Sequence, residues 1–237
     1  MSGGLLAGIG LTRLHVYDQR PAPDGSHCGC AHVHAYTDEA YYVVAGRGAI
    51  ELHDAERGFR RVPLQAGDFV QFGPGTLHRS VSESALDVLA LMSNSGLAER
   101  GDARIYFGAA VDADPAEFER LRALPATDGL DGALARRDAS VRAYMALLRL
   151  WHGDRDAYFA ELQRFVELHR RQAAARRDQY ASVVDEGPGR WLRQSLDRLN
   201  GAAAPSAADT AGVLRDESAL TLGMCGLLRQ LPEPVPV

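Results

Sequence analysis

Up to about residue 114 the chain alternates short runs of β-branched and aromatic residues with Gly, Pro and Asp punctuation. Successive side chains of a strand point to opposite faces, so runs of this length and alternation read as strands. The pattern predicts strands over 12–20, 27–34, 39–45, 48–53, 59–63, 68–72, 79–83, 86–93 and 103–107. Pro63, Gly67-Asp68 and Gly73-Pro74-Gly75 punctuate them as turns. Many short strands at this spacing indicate a sandwich or a barrel.

Beyond residue 114 the period becomes helical. Asp114-Pro115 followed by Glu117 is a helix start, with a capping side chain, a proline in the first turn and an acid beside the positive end of the helix. Val141, Tyr144, Met145, Leu148 and Trp151 make one apolar stripe, closed by Gly153. Tyr158, Leu162, Phe165, Val166 and His169 make a second, and Trp191, Leu192, Ser195, Leu196 and Leu199 a third after Gly187-Pro188-Gly189. Residues 201–212 read as a flexible linker. Leu220, Met224, Leu227, Leu228 and Leu231 predict a last amphipathic helix before a proline-rich tail. The division is therefore a β sandwich or barrel over 1–112 and an α-helical extension over 113–237, α+β overall. The stripes need a partner surface, so the extension is expected to pack on the barrel or at a dimer interface.

Composition narrows the function. The 237 residues carry 26 basic against 31 acidic groups, and every basic residue is arginine. Without lysine the chain has no Schiff-base or P-loop chemistry of its own. Residues 1–114 hold 9 Arg and 14 acids, and residues 115–200 hold 15 Arg and 13 acids. An acidic β region and a nearly neutral helical one argue against nucleic-acid binding. No apolar run reaches the roughly 18–20 residues that span a bilayer. Three cysteines, Cys28, Cys30 and Cys225, are too few for a disulfide framework, so a cytoplasmic setting is expected.

The chemistry sits in His32-Val33-His34 and Glu39. Residues two apart on a strand face the same side, so both imidazoles can reach one point. Glu39 follows after a short turn that can bring its carboxylate beside them. Two histidines and a carboxylate on one face suit a divalent first-row metal with positions left open. A second stretch runs from Gly67 through Gly73-Pro74-Gly75 to His78.

Together the two stretches resemble the paired motifs of the cupin superfamily. His32, His34, Glu39 and Gly46 match the first motif in spacing, and Gly67, Gly75 and His78 match the second. Ser26 stands where the first glycine would be, Gly73 replaces a proline, and Ser82 replaces an asparagine. These are turn and strand-end positions, and the four ligand positions are intact.

The resemblance implies a jelly-roll barrel that binds one divalent transition metal through His32, His34, Glu39 and His78. Fe(II) is favoured, with Mn, Ni, Co, Cu or Zn as other candidates. It implies a small-molecule substrate, often a homodimer, and most readily an oxygenase-type reaction in which Glu39 is catalytic. A non-redox isomerase or lyase, and a non-catalytic small-molecule binder, are the alternatives. Cys28 and Cys30 extend the alternation of His32 and His34, which makes Cys30 a pocket candidate, although a small buried packing residue is the favoured reading of both thiols. Tyr41 shares the parity of Glu39 and is a second pocket candidate, equally well explained as a barrel-filling aromatic. His15, His27, His53, His152 and His169 read as structural. His169-Arg170-Arg171 with Arg176-Arg177 reads as a solvated helix face or, alternatively, as a clamp for a phosphate or carboxylate.

Overall fold

The computed structural model describes residues 5–125, 127–201, 212–213, 219–231 and 235–236. Eight strands precede the helices: β1 (Gly10–Val16), β2 (His27–Cys28), β3 (His32–His34), β4 (Glu39–Asp54), β5 (Gly58–Gln65), β6 (Phe69–Phe72), β7 (Leu77–Met92) and β8 (Ala103–Ile105). The runs predicted over 39–45 and 48–53 are one 16-residue strand, and so are those over 79–83 and 86–93.

β4 and β7 pair along almost their whole length and are shared by both layers of a jelly-roll barrel. In one layer β1 pairs the 87–92 half of β7, while β6 pairs the 39–42 half of β4. In the other, β2 and β3 pair β7 between His78 and Ser82, β8 pairs β3, and β5 pairs β4 between 47 and 54. All of these pairs are antiparallel.

The bend in β4 follows from Gly46. Register shifts interrupt the β4–β7 ladder between Val43 and Gly48. Gly46 sits there at φ +75°, and a Cβ on it would lie 2.1 Å from the Ala85 carbonyl oxygen. An extra residue on one strand reverses which side chains face inward beyond it. Tyr41 and Val43 are in the barrel core before the bulge, and Ile50 and Leu52 after it. Glu51 and His53 are thereby turned outward, where the helices lie.

The helices are α1 (Ala109–Asp112), α2 (Pro115–Arg122), α3 (Gly129–Gly153), α4 (Arg155–Ala174), α5 (Arg177–Val184) and α6 (Arg190–Leu199). Asp114 caps α2 as expected, accepting from the Ala116 and Glu117 amides. The stripes of α3 and α4 bury Tyr144, Leu147, Tyr158, Leu162 and Phe165 against Ala31, Val33, Leu77 and Tyr106 of the barrel's outer face. A polar chain runs through this interface. Arg79, 2% exposed, bonds Glu51. The Tyr144 hydroxyl donates to Glu51 at 2.9 Å, and the His53 ring lies between Tyr144 and Tyr158 at 2.7 and 2.8 Å. Gly187-Pro188-Gly189 continues the helical path as a π-turn instead of breaking it. The α6 stripe is largely uncovered, with Leu199 81% exposed.

The last predicted helix is a β-hairpin. β10 (Thr221–Leu222) turns through Gly223 and Gly226 into β11 (Gly226–Gln230), and β11 pairs β1 in antiparallel register. Two glycines within four residues weaken a helix, and the open edge of β1 offers ladder bonds that a helix would forgo. β9 (Gly212–Val213) and β12 (Val235–Pro236) form a separate two-stranded pair. The rest of the predicted linker, 202–211, lies outside the described residues.

Candidate metal centre

The alternation of β3 turns Val33 outward against the helices and His32 and His34 inward. Glu39 is the first residue of β4 and His78 the second of β7, and His32 is paired directly with His78 across the β3–β7 ladder. The Gly73–Gly75 turn is tied to the ligand strand, because the Gly75 amide donates to the His34 carbonyl at 2.8 Å. One ligand atom from each of His32, His34, Glu39 and His78 lies within 4.8 Å of all the others. The four residues are buried, none more than 4% exposed.

The hydrogen bonds around the cluster determine which ring nitrogens carry protons. His32 Nδ1 lies 3.1 Å from the Cys30 carbonyl, His78 Nδ1 3.1 Å from the Thr76 carbonyl, and His34 Nδ1 3.3 Å from Oδ2 of Asp102. A carbonyl or carboxylate oxygen can only accept, so each Nδ1 is the donor and each neutral ring is left with a lone pair on Nε2. Those lone pairs converge. The Nε2 atoms of His32 and His78 are 3.0 Å apart. Glu39 Oε2 lies 3.1 Å from His78 Nε2 and 3.4 Å from His34 Nε2, yet has no aligned hydrogen-bond donor. Three nitrogen lone pairs and an unpartnered carboxylate oxygen repel one another unless a cation lies between them. The donor set therefore fits a divalent transition metal, with each imidazole fixed from behind by an acceptor.

The electrostatics of the cluster without a cation show the same tension. Burial and the neighbouring His78 and His34 hold the His32 ring well below its ordinary value. Burial also disfavours a charged His34, but the Asp102 bond and the Glu39 charge outweigh it and raise that ring. Burial alone would raise Glu39; the positive charge that His78, His34 and His32 present when protonated overcomes it and brings the carboxyl down to about 2. Glu39 is therefore an anion at neutral pH.

Tyr41 is fully buried in the barrel core. Its hydroxyl is close enough to feel Glu39 and Ser80 but is aligned with neither, and Ser80 Oγ is likewise unpartnered. Burial keeps the phenol protonated, well above its usual range. Cys30 lies elsewhere. The strand breaks between β2 and β3, so the common face expected for Cys28, Cys30, His32 and His34 does not form. The Cys30 thiol packs with Ile105, Phe107 and Phe118, and only its carbonyl serves His32. Cys28 packs with Val81 and Val141 and receives an Arg79 Nη1 contact. Cys225, from the C-terminal hairpin, packs on the barrel core instead.

Two residues around the cluster were not legible as part of it. Asp102 is fully buried, holds His34 through its carboxylate and accepts the Tyr36 amide at 2.8 Å. His169 of α4 donates from Nε2 to the Asp102 carbonyl at 2.6 Å. No local motif marks Asp102, and His169 appears in sequence as one member of an apolar stripe. Arg170 and Arg171 are solvent-facing as expected, with Arg171 3.8 Å from Glu167.

Residues 19–93 match the family model described as "Cupin domain". No curated protein matches the chain. Similar solved structures include a cupin protein from Bacteroides fragilis, 23% identical with a TM-score of 0.29, covering 38% of this chain and 68% of that one. A TDP-fucose-3,4-ketoisomerase from Campylobacter jejuni is 11% identical with a TM-score of 0.29, covering 34% and 58%. A protein described as a predicted oxalate decarboxylase from Thermotoga maritima is 23% identical with a TM-score of 0.27, covering 36% and 64%. The chain spans less than two thirds of the length of the last two.

Proposed function

Residues 19–93 make this chain a member of the cupin superfamily, and from that premise we propose that it is a mononuclear metal-dependent enzyme acting on a small organic molecule. His32, His34, Glu39 and His78 would hold the ion. The observation that carries the reading is the convergence of three Nε2 lone pairs and Glu39 Oε2, with every Nδ1 already committed to an acceptor. A bound Fe(II), the favoured ion, would supply positions for a substrate and for dioxygen, which is the chemistry of an oxygenase. The chain's own contribution is positional. Asp102, Cys30 and Thr76 orient the imidazoles, Glu39 supplies a fixed negative charge, and Phe72, its ring 4.6 Å from that of His78, adds an apolar wall continuous with the barrel core.

The Tyr41 hydroxyl favours a second reading, a non-redox isomerase or lyase. A buried, unpartnered phenol that stays protonated is a fixed hydrogen-bond donor beside Glu39 for a polarised substrate oxygen. A non-catalytic binder would use the same groups without turnover. As to assembly, Tyr42 lies opposite Phe69 in the β4–β6 pair, and with Val44 both are exposed, an apolar face that supports a homodimer.

The deciding experiment is elemental analysis of protein purified without chelator, beside anaerobic reconstitution with Fe(II) and with Zn(II). One metal per chain that disappears in His78→Ala supports the site. Stoichiometric oxygen uptake with a turned-over substrate supports the oxygenase. Unchanged turnover without oxygen, or with Zn(II), replaces it with the isomerase or lyase.

A further inference from the structure

We propose that a cleft outside the barrel, between β8, α2 and α4, binds a small organic molecule through a phosphate or carboxylate group. The cleft measures about 800 Å³, a size ordinary for small-molecule sites. Four arginines line it, Arg100, Arg104, Arg122 and Arg176, against three acids, Glu99, Asp112 and Glu119.

The acids are mostly engaged. Asp112 is held by Arg104 and Arg164, Glu119 by Arg122, and Glu99 accepts from Gln230. Among the described residues Arg100 and Arg176 have no carboxylate partner. Arg100 uses one nitrogen on the Gly96 carbonyl at 2.6 Å and keeps its other donors. A guanidinium presents paired N–H groups that match the oxygens of a phosphate or carboxylate, so two that lack a carboxylate partner at one cleft, Arg176 also bonding the Tyr180 hydroxyl, define the ligand chemistry.

The wall behind them is preformed. Arg104 is 6% exposed, lies 3.5 Å over the Phe118 ring, and bonds Gln172 and Asp112 through its two terminal nitrogens. Its Nε is buried without a partner. Arg176 rests over Gly101, which has φ +91°, and a Cβ there would lie 2.8 Å from Arg176 Nη1. Glycine at 101 thus lets the Arg176 guanidinium settle at the cleft. His169 also lines the cleft, and it separates the cleft from Asp102 and His34.

The test is calorimetric titration of the full-length, metal-loaded protein at low ionic strength, with inorganic phosphate and succinate as separate probes. The expected result is saturable binding of one probe molecule per chain, weakened at least about tenfold in R100A/R176A, because each lost contact is a charged hydrogen bond. Metal content and melting temperature of that variant stay at the wild-type level. Gly101→Ala, which displaces Arg176, weakens binding in the same direction. No saturable binding of either probe overturns the proposal, as does binding undiminished in R100A/R176A. Binding that survives those changes but disappears in His78→Ala places the oxyanion at the metal centre and overturns it as well, while leaving the metal reading intact.

Discussion

His34 Nδ1 and the carboxylate of Asp102 meet at 3.3 Å, and both side chains are buried. Asp102 precedes β8, the strand that pairs β3, so the ladder itself brings the carboxylate behind the imidazole. Its backbone carbonyl takes the His169 hydrogen bond, so one residue joins a barrel ligand to helix α4.

Asp102→Ala is expected to lower metal affinity by about 10–100-fold, the usual effect of removing the acceptor that orients a ligating imidazole. Competition against a chromophoric chelator measures this, and circular dichroism checks that the variant is folded. Unchanged affinity would show that His34 is oriented without Asp102.

Metal removal should lower the melting temperature. At free metal a thousandfold above the dissociation constant, binding stabilises the native state by about 4 kcal/mol. Thermal scans with and without chelator read the shift, and His78→Ala should abolish it. A wild-type protein indifferent to both chelator and added ion would sink the metal site.

His53 gives a pH dependence that can be isolated from the metal. Burial, with Arg79 nearby, brings its ring from 6.5 down to about 3. Between those values the unfolded chain binds a proton that the native chain refuses, so stability falls as pH drops below 6.5. The slope from this one group is at most about 1.4 kcal/mol per pH unit. Urea titrations from pH 7 to pH 4 should show that slope reduced by one proton in His53→Gln. An identical slope in both proteins would refute the assignment.

Gly58→Ala should destabilise the fold by about 2 kcal/mol or more. The position has φ +69°, and the new Cβ would lie 2.1 Å from the Trp151 ring of α3. Chemical denaturation measures the loss, and Trp151→Leu in the same chain should recover part of it.

Residues 1–112 expressed alone should be insoluble or markedly less stable than the full chain. The truncation strips Tyr144 and Tyr158 from His53 and exposes the apolar face formed by Ala31, Val33, Leu77 and Tyr106. A soluble barrel melting with the full-length protein would make the helices an appendage.

The strands were legible because alternation is a local property, and His32, His34, Glu39 and His78 because their spacing survives in sequence. The helix start at Asp114-Pro115 was legible for the same reason. Asp102 and His169 were not, since a hydrogen bond between residues 67 apart leaves no local pattern. The hairpin at 221–230 was misread because Leu227, Leu228 and Leu231 fit a helical stripe, and only the free edge of β1 decides for a strand. For Cys30 the packing reading holds: one break in a strand re-aims the side chains beside it, and the thiol lies against Ile105, Phe107 and Phe118.

The β1–β11 pairing has a bearing on how the molecule assembles. Tyr17 donates its hydroxyl proton to the Gly223 carbonyl, 206 residues along the chain. Joining segments so far apart costs loop-closure entropy before any contact offsets it. Folding that depends on such contacts is slow, and the barrel's outer edge completes after its local hairpins. During synthesis β1 leaves the ribosome long before β11 exists. For that interval the first strand of the chain lacks its outer neighbour, and its ladder groups are open to another partner.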